Sequence, residues 1–304
     1  MNTDILIIGG GPAGYAAALY AVRAGYKATV TEMLTVGGQM GLTGEVENYP
    51  GFPDGADGFT LGMNMQSQAE KFGAVSIRGE AESVDFSGKT KKVMVGGEEI
   101  DAKGVIIAVG AFPRRLGLDG EDALMGRGVH YCAHCDGRFY KGDTVVVVGG
   151  GNSAASDAIY LSQLAKKVIL VHRRDTLRAD DVLSAGVRSA DNVEIMWNAI
   201  PAGYEIADGS LTGLRTVVGG DEKLIHCDAV FVSIGRQPAT DFLVGKLELD
   251  KNGYIVADET TETSVDGVFA AGDVRTKPLR QIVTAVADGA VAAHFAAEYI
   301  RKVF

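Results

Sequence analysis

The chain has 304 residues, enough for two domains with cores of their own. Its net charge of −10, from 29 basic and 39 acidic residues, argues against a nucleic-acid partner, which would want a basic footprint. With 46% apolar residues and no apolar run near the ~18 residues a membrane span needs, it reads as a soluble globular protein with no membrane partner.

The first thirty residues spell a βαβ unit. Met1-Asn2-Thr3-Asp4 lacks the basic region of an export signal, and residues 4–8 read as a short buried strand. Gly9, Gly10, Gly11, Pro12, Ala13 and Gly14 form a Gly-x-Gly-x-x-Gly turn. An Ala-rich helix over 12–24 follows, with Pro12 in the first turn, where a missing N–H is tolerated. Gly25 ends it, and a strand over 27–31 leads to Glu32. Residues 37–58, rich in Gly, Pro and Asn, read as a long loop. An apolar strand over 105–110 runs into a Gly-x-x-Pro segment ending at Pro113.

The pattern then recurs. A valine strand over 144–148 leads into Gly149, Gly150, Gly151, Asn152, Ser153 and Ala154, the same turn with Ala in the last place. A helix over 154–164 and a strand over 167–171 follow, and then a basic run, His172, Arg173 and Arg174, with Arg178 close behind. The strand over 230–235 again runs into Gly-x-x-Pro, ending at Pro238. This is the signature of a duplicated unit, with the extra loop at 37–58 belonging to the first copy. A strand over 267–271, the pair Gly272-Asp273 and an amphipathic helix over 280–302 remain afterwards. They imply a discontinuous first domain, 1–113 and 247–304, with a second domain, 114–246, inserted in it. The two crossings would form a two-stranded hinge at 114–117 and 243–246, where Gly117 and Gly245 give freedom.

Glycines after a strand and before a helix let the backbone approach a pyrophosphate, which the helix N-terminus then binds. Glu32 at the end of the second strand suits the hydroxyls of an adenosine ribose and repels a 2′-phosphate, so the first site fits FAD or NAD. The second site has no acid there. Arg173, Arg174 and Arg178, with His172, offer charge-assisted hydrogen bonds to a 2′-phosphate, which fits NADPH. Between the two lies Cys132-Ala133-His134-Cys135-Asp136. This spacing serves a redox-active pair, half of a zinc site or a structural crosslink. The only other cysteine, Cys227, is isolated and reads as a small buried side chain, while His130 and His134 keep a Cys–His metal site open. NADPH, a flavin and a disulfide in that order would make a two-electron path.

These motifs, in this order and spacing, resemble the bacterial-type, low-molecular-weight thioredoxin reductases nearly end to end. The resemblance rests on residues 9–14, Gly37-Gly38-Gln39, residues 47–51, residues 132–137, residues 149–154, His172 to Arg174 with Arg178, Ala271-Gly272-Asp273 and Arg280-Gln281-Ile282. It implies an α/β fold of two Rossmann-like, three-layer dinucleotide-binding domains, the first binding FAD and the second NADPH, in a cytoplasmic homodimer. It also implies an activity, electrons passing from NADPH to FAD to Cys132–Cys135 and on to thioredoxin. By the same resemblance Gly9, Gly11, Pro12, Ala13, Gly14 and Glu32 hold the FAD pyrophosphate and adenosine. Gly38, Gln39 and Asn48 line the flavin ring, Gly272 and Asp273 meet the ribityl chain, and Arg280, Gln281 and Ile282 sit at the ring's pyrimidine edge. Gly149, Gly151, Asn152 and Ser153, with the basic run, hold NADPH. Cys135 faces the flavin, Cys132 exchanges with the substrate, and Asp136 handles the thiol proton. The family often carries Thr or Val where this chain has His134, and paired aromatics where it has Arg138 and Phe139. With Arg127, those positions border the docking groove, so the protein substrate could also be a glutaredoxin-like or peroxiredoxin-type protein. A flavin dithiol oxidase and a non-catalytic nucleotide-binding sensor are the other readings.

Overall fold

A computed structural model describes residues 1–33, 35–42 and 45–304. They divide into two compact units, one of Met1–Phe112 and Gln237–Phe304, the other of Pro113–Arg236. The first unit opens with β1 (Asn2–Ile8), α1 (Pro12–Arg23) and β2 (Ala28–Glu32). A short hairpin, β3 (Glu45–Val46) and β4 (Ala56–Asp57), leads to α2 (Gly58–Lys71) and β5 (Val75–Arg78). Then come β6 (Ala81–Asp85), β7 (Lys91–Val95) and β8 (Glu98–Ile107). The chain leaves along β9 (Ala111–Pro113).

The second unit contains α3 (Glu121–Leu124), β10 (Val129–His130), α4 (Ala133–Asp136), β11 (Thr144–Val148), α5 (Asn152–Ser162) and β12 (Lys167–Val171). It continues with α6 (Asp181–Ser189), β13 (Val193–Met196), β14 (Ala199–Ala207), β15 (Ser210–Val218), β16 (Asp221–His226) and β17 (Ala229–Val232). The return is β18 (Arg236–Pro238), followed by β19 (Val268–Ala270) and α7 (Ile282–Val303).

Strand periodicity explains why each unit has three layers. Successive side chains of a strand point to opposite faces, so an unbroken apolar run must be covered on both sides. In β1, Ile5 and Ile7 meet the Ala-rich faces of α1 and α7, while Leu6 and Ile8 meet Val93 and Val95 of β7 and the segment around Leu243 and Ile255. In the second unit Val145 and Val147 pack on Ala154, Ala158 and Leu161 of α5, whereas Val146 and Val148 face Tyr204, Leu214 and Ile225. The parallel strand order of the second unit is β10-β17-β11-β12-β13, beside an antiparallel β14-β15-β16 sheet. The first unit has a seven-stranded sheet, β5-β2-β1-β8-β7-β6, with β19 also pairing β8. Each of these fully buried Val, Ile and Leu side chains contributes about 1.5–3 kcal/mol.

The contact of α1 with α7 is made by small residues. A Cβ on Gly289 would collide with Ala13 O, so glycine there lets the two helix backbones touch. That close approach fixes where the N-terminus of α1, and the turn before it, can point.

The extra loop of the first copy is the segment 33–57, against 172–180 in the second; residues 34, 43 and 44 lie outside the described ones. The return crossing differs from the expectation. The first unit resumes at Gln237, not near residue 247, because Leu243 and Leu247 are already buried in its core. The crossings β9 and β18 pair with each other as a two-stranded ribbon. Gly245 therefore lies within the first unit, past the return crossing. Gly117 is held as well, since its N–H donates to Glu121 Oε2 at 2.7 Å.

Candidate functional site

In the first unit the glycine turn ends at Gly11, the extended N-cap of α1, where no side chain caps the helix. Its first-turn N–H groups thus keep their capacity for an anion. A Cβ on Gly11 would meet nothing within 4 Å, so the turn is open on that side. A Cβ on Gly14 would collide with Gly9 O, so glycine is required for the turn to close. Gly10 N–H donates to Glu32 Oε2 at 2.8 Å, and Gly37 N–H donates to Gly10 O at 2.9 Å. Gly38 packs against Gly11, and Gly272 against Ala13. Gln39 Nε2 donates to Ala111 O. Asn48 Nδ2 donates to Gln281 Oε1 at 3.2 Å, and Gln281 forms a capping box with Thr284 at the start of α7. Arg280 precedes the helix; its Nε donates to Asp273 O at 3.2 Å and its guanidinium lies 4.1 Å over the Tyr254 ring. Ile282 packs with Met40, Val46 and Leu61. These contacts link the first-unit positions singled out in the sequence to one another.

Asp288 was not visible in the sequence. Buried on α7, it accepts from Gly272 N–H at 2.9 Å, Arg275 Nε at 2.9 Å and Lys277 Nζ at 2.7 Å. It ties the Gly272-Asp273 turn to the helix. Burial works to raise its pKa, but hydrogen bonds from Arg275 and Lys277 outweigh that and hold the carboxyl below the ordinary 3.8.

The second unit repeats the turn. Gly151 is the extended, uncapped N-cap of α5, and its Cβ direction is likewise open. Gly9 N–H donates to Thr31 O and Gly149 N–H to Val171 O, so His172 stands where Glu32 stands in the first unit. In the structure His172 stands apart from the arginines that follow it. Its ring is only 4% exposed, fills the space a Cβ on Gly150 would need, and has Nε2 3.0 Å from Thr176 O. Burial pushes its pKa down, which favours the neutral ring, and the ring supports the turn from beneath. Arg173, Arg174 and Arg178 are exposed on the loop that follows. That loop is tied back by Arg178 N–H to Gly150 O at 2.7 Å. Asn152 exchanges hydrogen bonds with Asp180, side chain to side chain at 2.7 Å and Asp180 N–H to Asn152 Oδ1 at 2.9 Å. Its amide therefore shapes the loop, and Ser153 beside it is exposed.

Cys132 is the N-cap of the one-turn helix α4 and is disulfide-bonded to Cys135, with Cα atoms 5.3 Å apart. Cys135 N–H and Asp136 N–H both donate to Cys132 O, at 3.2 and 3.1 Å. Asp136 Oδ2 lies 3.0 Å from Nδ1 of buried His130, whose Nε2 is 2.7 Å from the Tyr140 hydroxyl. His134 is exposed, with its ring 4.2 Å from that of Tyr160 on α5. On the same helix Asp157 is half-buried and bonded to Ser233; desolvation raises its pKa, against the Ser233 hydrogen bond and the positive influence of His134 and Arg236. Beside Cys132, Tyr131 donates to Glu121 at 2.6 Å, and Glu121 also accepts from the N–H groups of Leu116, Gly117 and Leu118. Cys227 is buried, and its thiol is pushed up to about 12 by burial and by Asp228. Among the described residues no cluster of three His, Cys, Asp or Glu is placed to hold a metal, and no helix is long and apolar enough to cross a membrane.

Three comparisons agree with this arrangement. The family model for pyridine nucleotide-disulphide oxidoreductases matches residues 3–289. The chain is 44% identical to a thioredoxin reductase of Peptoclostridium acidaminophilum, over 99% of this chain and 98% of that one. It is also 44% identical to the thioredoxin reductase of Listeria monocytogenes, over 98% of this chain and 94% of that one. The crystal structure of thioredoxin reductase from Streptococcus pyogenes superposes with a TM-score of 0.92 at 40% identity, covering 99% of each chain. With two dinucleotide-type turns, a disulfide beside an acid and a match over nearly its whole length, the chain belongs to the pyridine nucleotide-disulphide oxidoreductase family.

Proposed function

We propose that this protein is a thioredoxin-disulfide reductase that draws electrons from NADPH through FAD. The observation that carries the reading is the Cys132–Cys135 disulfide at the head of α4, next to Asp136 and in the same unit as the second glycine turn. FAD suits the first unit: α1 begins uncapped beneath an open Gly11, and Glu32 lies one hydrogen bond from the turn. Gly9 to Gly14 and Glu32 would hold its pyrophosphate and adenosine. Gly38, Gln39, Asn48, Gly272, Asp273, Arg280, Gln281 and Ile282 would hold the rest. NADPH suits the second, where Gly149, Gly151 and Ser153 would receive the pyrophosphate and Arg173, Arg174 and Arg178 the 2′-phosphate. Asn152 and His172 would act by shaping that loop. When bound, FAD supplies the two-electron relay between nicotinamide and disulfide.

The chain's own residues do the thiol chemistry. Cys132, the N-cap of α4, exchanges with the substrate disulfide, and Cys135 resolves the mixed disulfide. Asp136 gives and takes the Cys132 thiol proton. Exposed Arg127, Arg138 and Phe139 would border the docking surface for thioredoxin in a cytoplasmic homodimer. The test is NADPH oxidation by the FAD-loaded protein with oxidised thioredoxin. Turnover with thioredoxin and with no other small dithiol protein is expected; no turnover, or rapid oxygen consumption without any disulfide, would overturn the reading.

The flavin-holding residues belong to one unit and the disulfide and NADPH loop to the other, so turnover requires the second unit to move about the paired crossings β9 and β18. A verified crosslink between the units is expected to stop multiple turnover; full activity in the locked protein would refute the motion.

A further inference from the structure

The Cys132–Cys135 turn has a buried histidine behind it that the reaction scheme leaves unused. His130 is 5% exposed and sits at the end of β10, two residues before Cys132. Its ring stacks on Phe231 with centroids 5.3 Å apart, and Tyr140 meets it edge-on at 5.2 Å. Nε2 is 2.7 Å from the Tyr140 hydroxyl. Nδ1 is buried, and among the described residues no acceptor meets it in good hydrogen-bond geometry. The Asp136 Oδ2 atom, 3.0 Å away, is the oxygen within its reach.

The three groups admit one consistent set of proton positions. Burial and the nearby charge of Asp136 raise the pKa of Tyr140, so its hydroxyl keeps a proton that it can donate to Nε2. With that hydroxyl as donor, the imidazole carries its hydrogen on Nδ1, 3.0 Å from the carboxylate but not aligned with it in this structure. A buried donor whose neighbouring acceptor is the acid of a reacting centre is suited to orient that acid, and such bonds often tighten only as the reaction proceeds.

We propose that His130, backed by Tyr140, is a positioning residue that holds the Asp136 carboxylate for proton exchange with Cys132. The proposal rests on the reading of Asp136 as the group that handles the thiol proton. In the exchange step Asp136 removes the Cys132 thiol proton as the sulfur attacks a substrate disulfide. One substrate S–S bond breaks and a mixed disulfide forms, with a substrate thiolate leaving. Cys135, deprotonated in turn, then attacks Cys132 Sγ, releases the second substrate thiolate and closes the Cys132–Cys135 disulfide. Two protons leave with the two thiolates, and the substrate gains the two electrons the dithiol loses. His130 keeps its own hydrogen throughout.

A kinetic double-mutant cycle tests this without NADPH or thioredoxin. The holoenzyme is reduced with dithiothreitol, desalted anaerobically and mixed with 5,5′-dithiobis(2-nitrobenzoate), and thiolate release is followed. Buried Cys227 stays silent in this readout. In the native background His130→Phe is expected to slow the reaction about tenfold, a part of the ~10²-fold or more that a general base supplies. His130→Asn, whose amide N–H replaces Nδ1–H, should stay within about threefold of the native rate, and Tyr140→Phe should slow it about threefold. In an Asp136→Asn background none of these should have any further effect, since residues acting through one group are non-additive. Equal slowing in both backgrounds, or no slowing in the native one, would overturn the proposal. If His130→Phe does not fold, His130→Asn and Tyr140→Phe decide it by the same comparison. A protein that fails to turn over NADPH would overturn the proposed function and still leave this cycle readable.

Discussion

The Asp288 network gives a prediction of stability that can be worked from distances. Asp288→Ala removes a carboxylate that contacts Arg275 Nε at 2.9 Å, Arg275 Nη2 at 3.1 Å, Lys277 Nζ at 2.7 Å and Gly272 N–H at 2.9 Å. The two cations left behind have side chains only 7% and 5% exposed. Removing one partner of a buried ion pair costs about 3–5 kcal/mol, because an uncompensated charge remains in a poorly solvated site. The unpaired Gly272 N–H belongs to the same loss and is not added. For a unit of this size about 2–4 °C of Tm follows each kcal/mol, so the variant should melt roughly 6–20 °C lower. The pH dependence has a definite sign. The folded carboxyl lies below the ordinary 3.8, so its stabilisation is complete above that value and is lost as pH falls through the depressed folded value. Denaturant unfolding of native protein and Asp288→Ala from neutral to acid pH should therefore give curves that differ at pH 7 and converge below about pH 3.8. A loss under about 1 kcal/mol at pH 7, or a difference that grows on acidification, would refute the reasoning.

Two further perturbations address the nucleotide loop and the dithiol. Replacing Arg173 and Arg174 by Ala should raise the KM for NADPH by about 10²- to 10⁴-fold, at ~1.5–3 kcal/mol for each of two lost charge-assisted bonds, and leave NADH kinetics nearly unchanged; equal use of both cofactors by the unmodified protein would contradict the assignment. His134→Thr should make the Cys132–Cys135 pair more reducing, since an imidazolium near the dithiol favours thiolate; a shift of about 30 mV corresponds to 1.4 kcal/mol, and titration against a redox buffer reads it.

Much of this architecture was legible because it is local. Gly9 to Gly14 and Gly149 to Ala154 announce their turns by spacing alone, while the Cys132-x-x-Cys135 spacing left three chemistries open and the family resemblance implied the redox one. What the sequence left illegible shares a cause, which is that burial depends on distant chain. His172 looked like the first of three cations, yet it occupies the place Glu32 has in the first unit, and the packing of Gly150 over its ring removes it from solvent. Gly245 looked like a hinge, yet Leu243 and Leu247 on either side are anchored in the first core. The Asp288 network joins residues 272, 275, 277 and 288 across a turn and a helix, and no motif spacing marks it. His130 was visible only as a conceivable metal ligand, because the one-turn helix α4 is what brings Asp136 back toward it.

The central claim is an electron path from NADPH through flavin to Cys132–Cys135, and an anaerobic titration of the FAD-loaded protein with NADPH tests it most directly. The native protein should consume about two NADPH per chain before excess accumulates, one for the flavin and one for the disulfide. Cys132→Ser and Cys135→Ser should each consume about one, with the flavin still bleached and thioredoxin reduction abolished. A native protein that takes up only one equivalent, or a folded, flavin-loaded cysteine variant that no longer bleaches, would contradict the account.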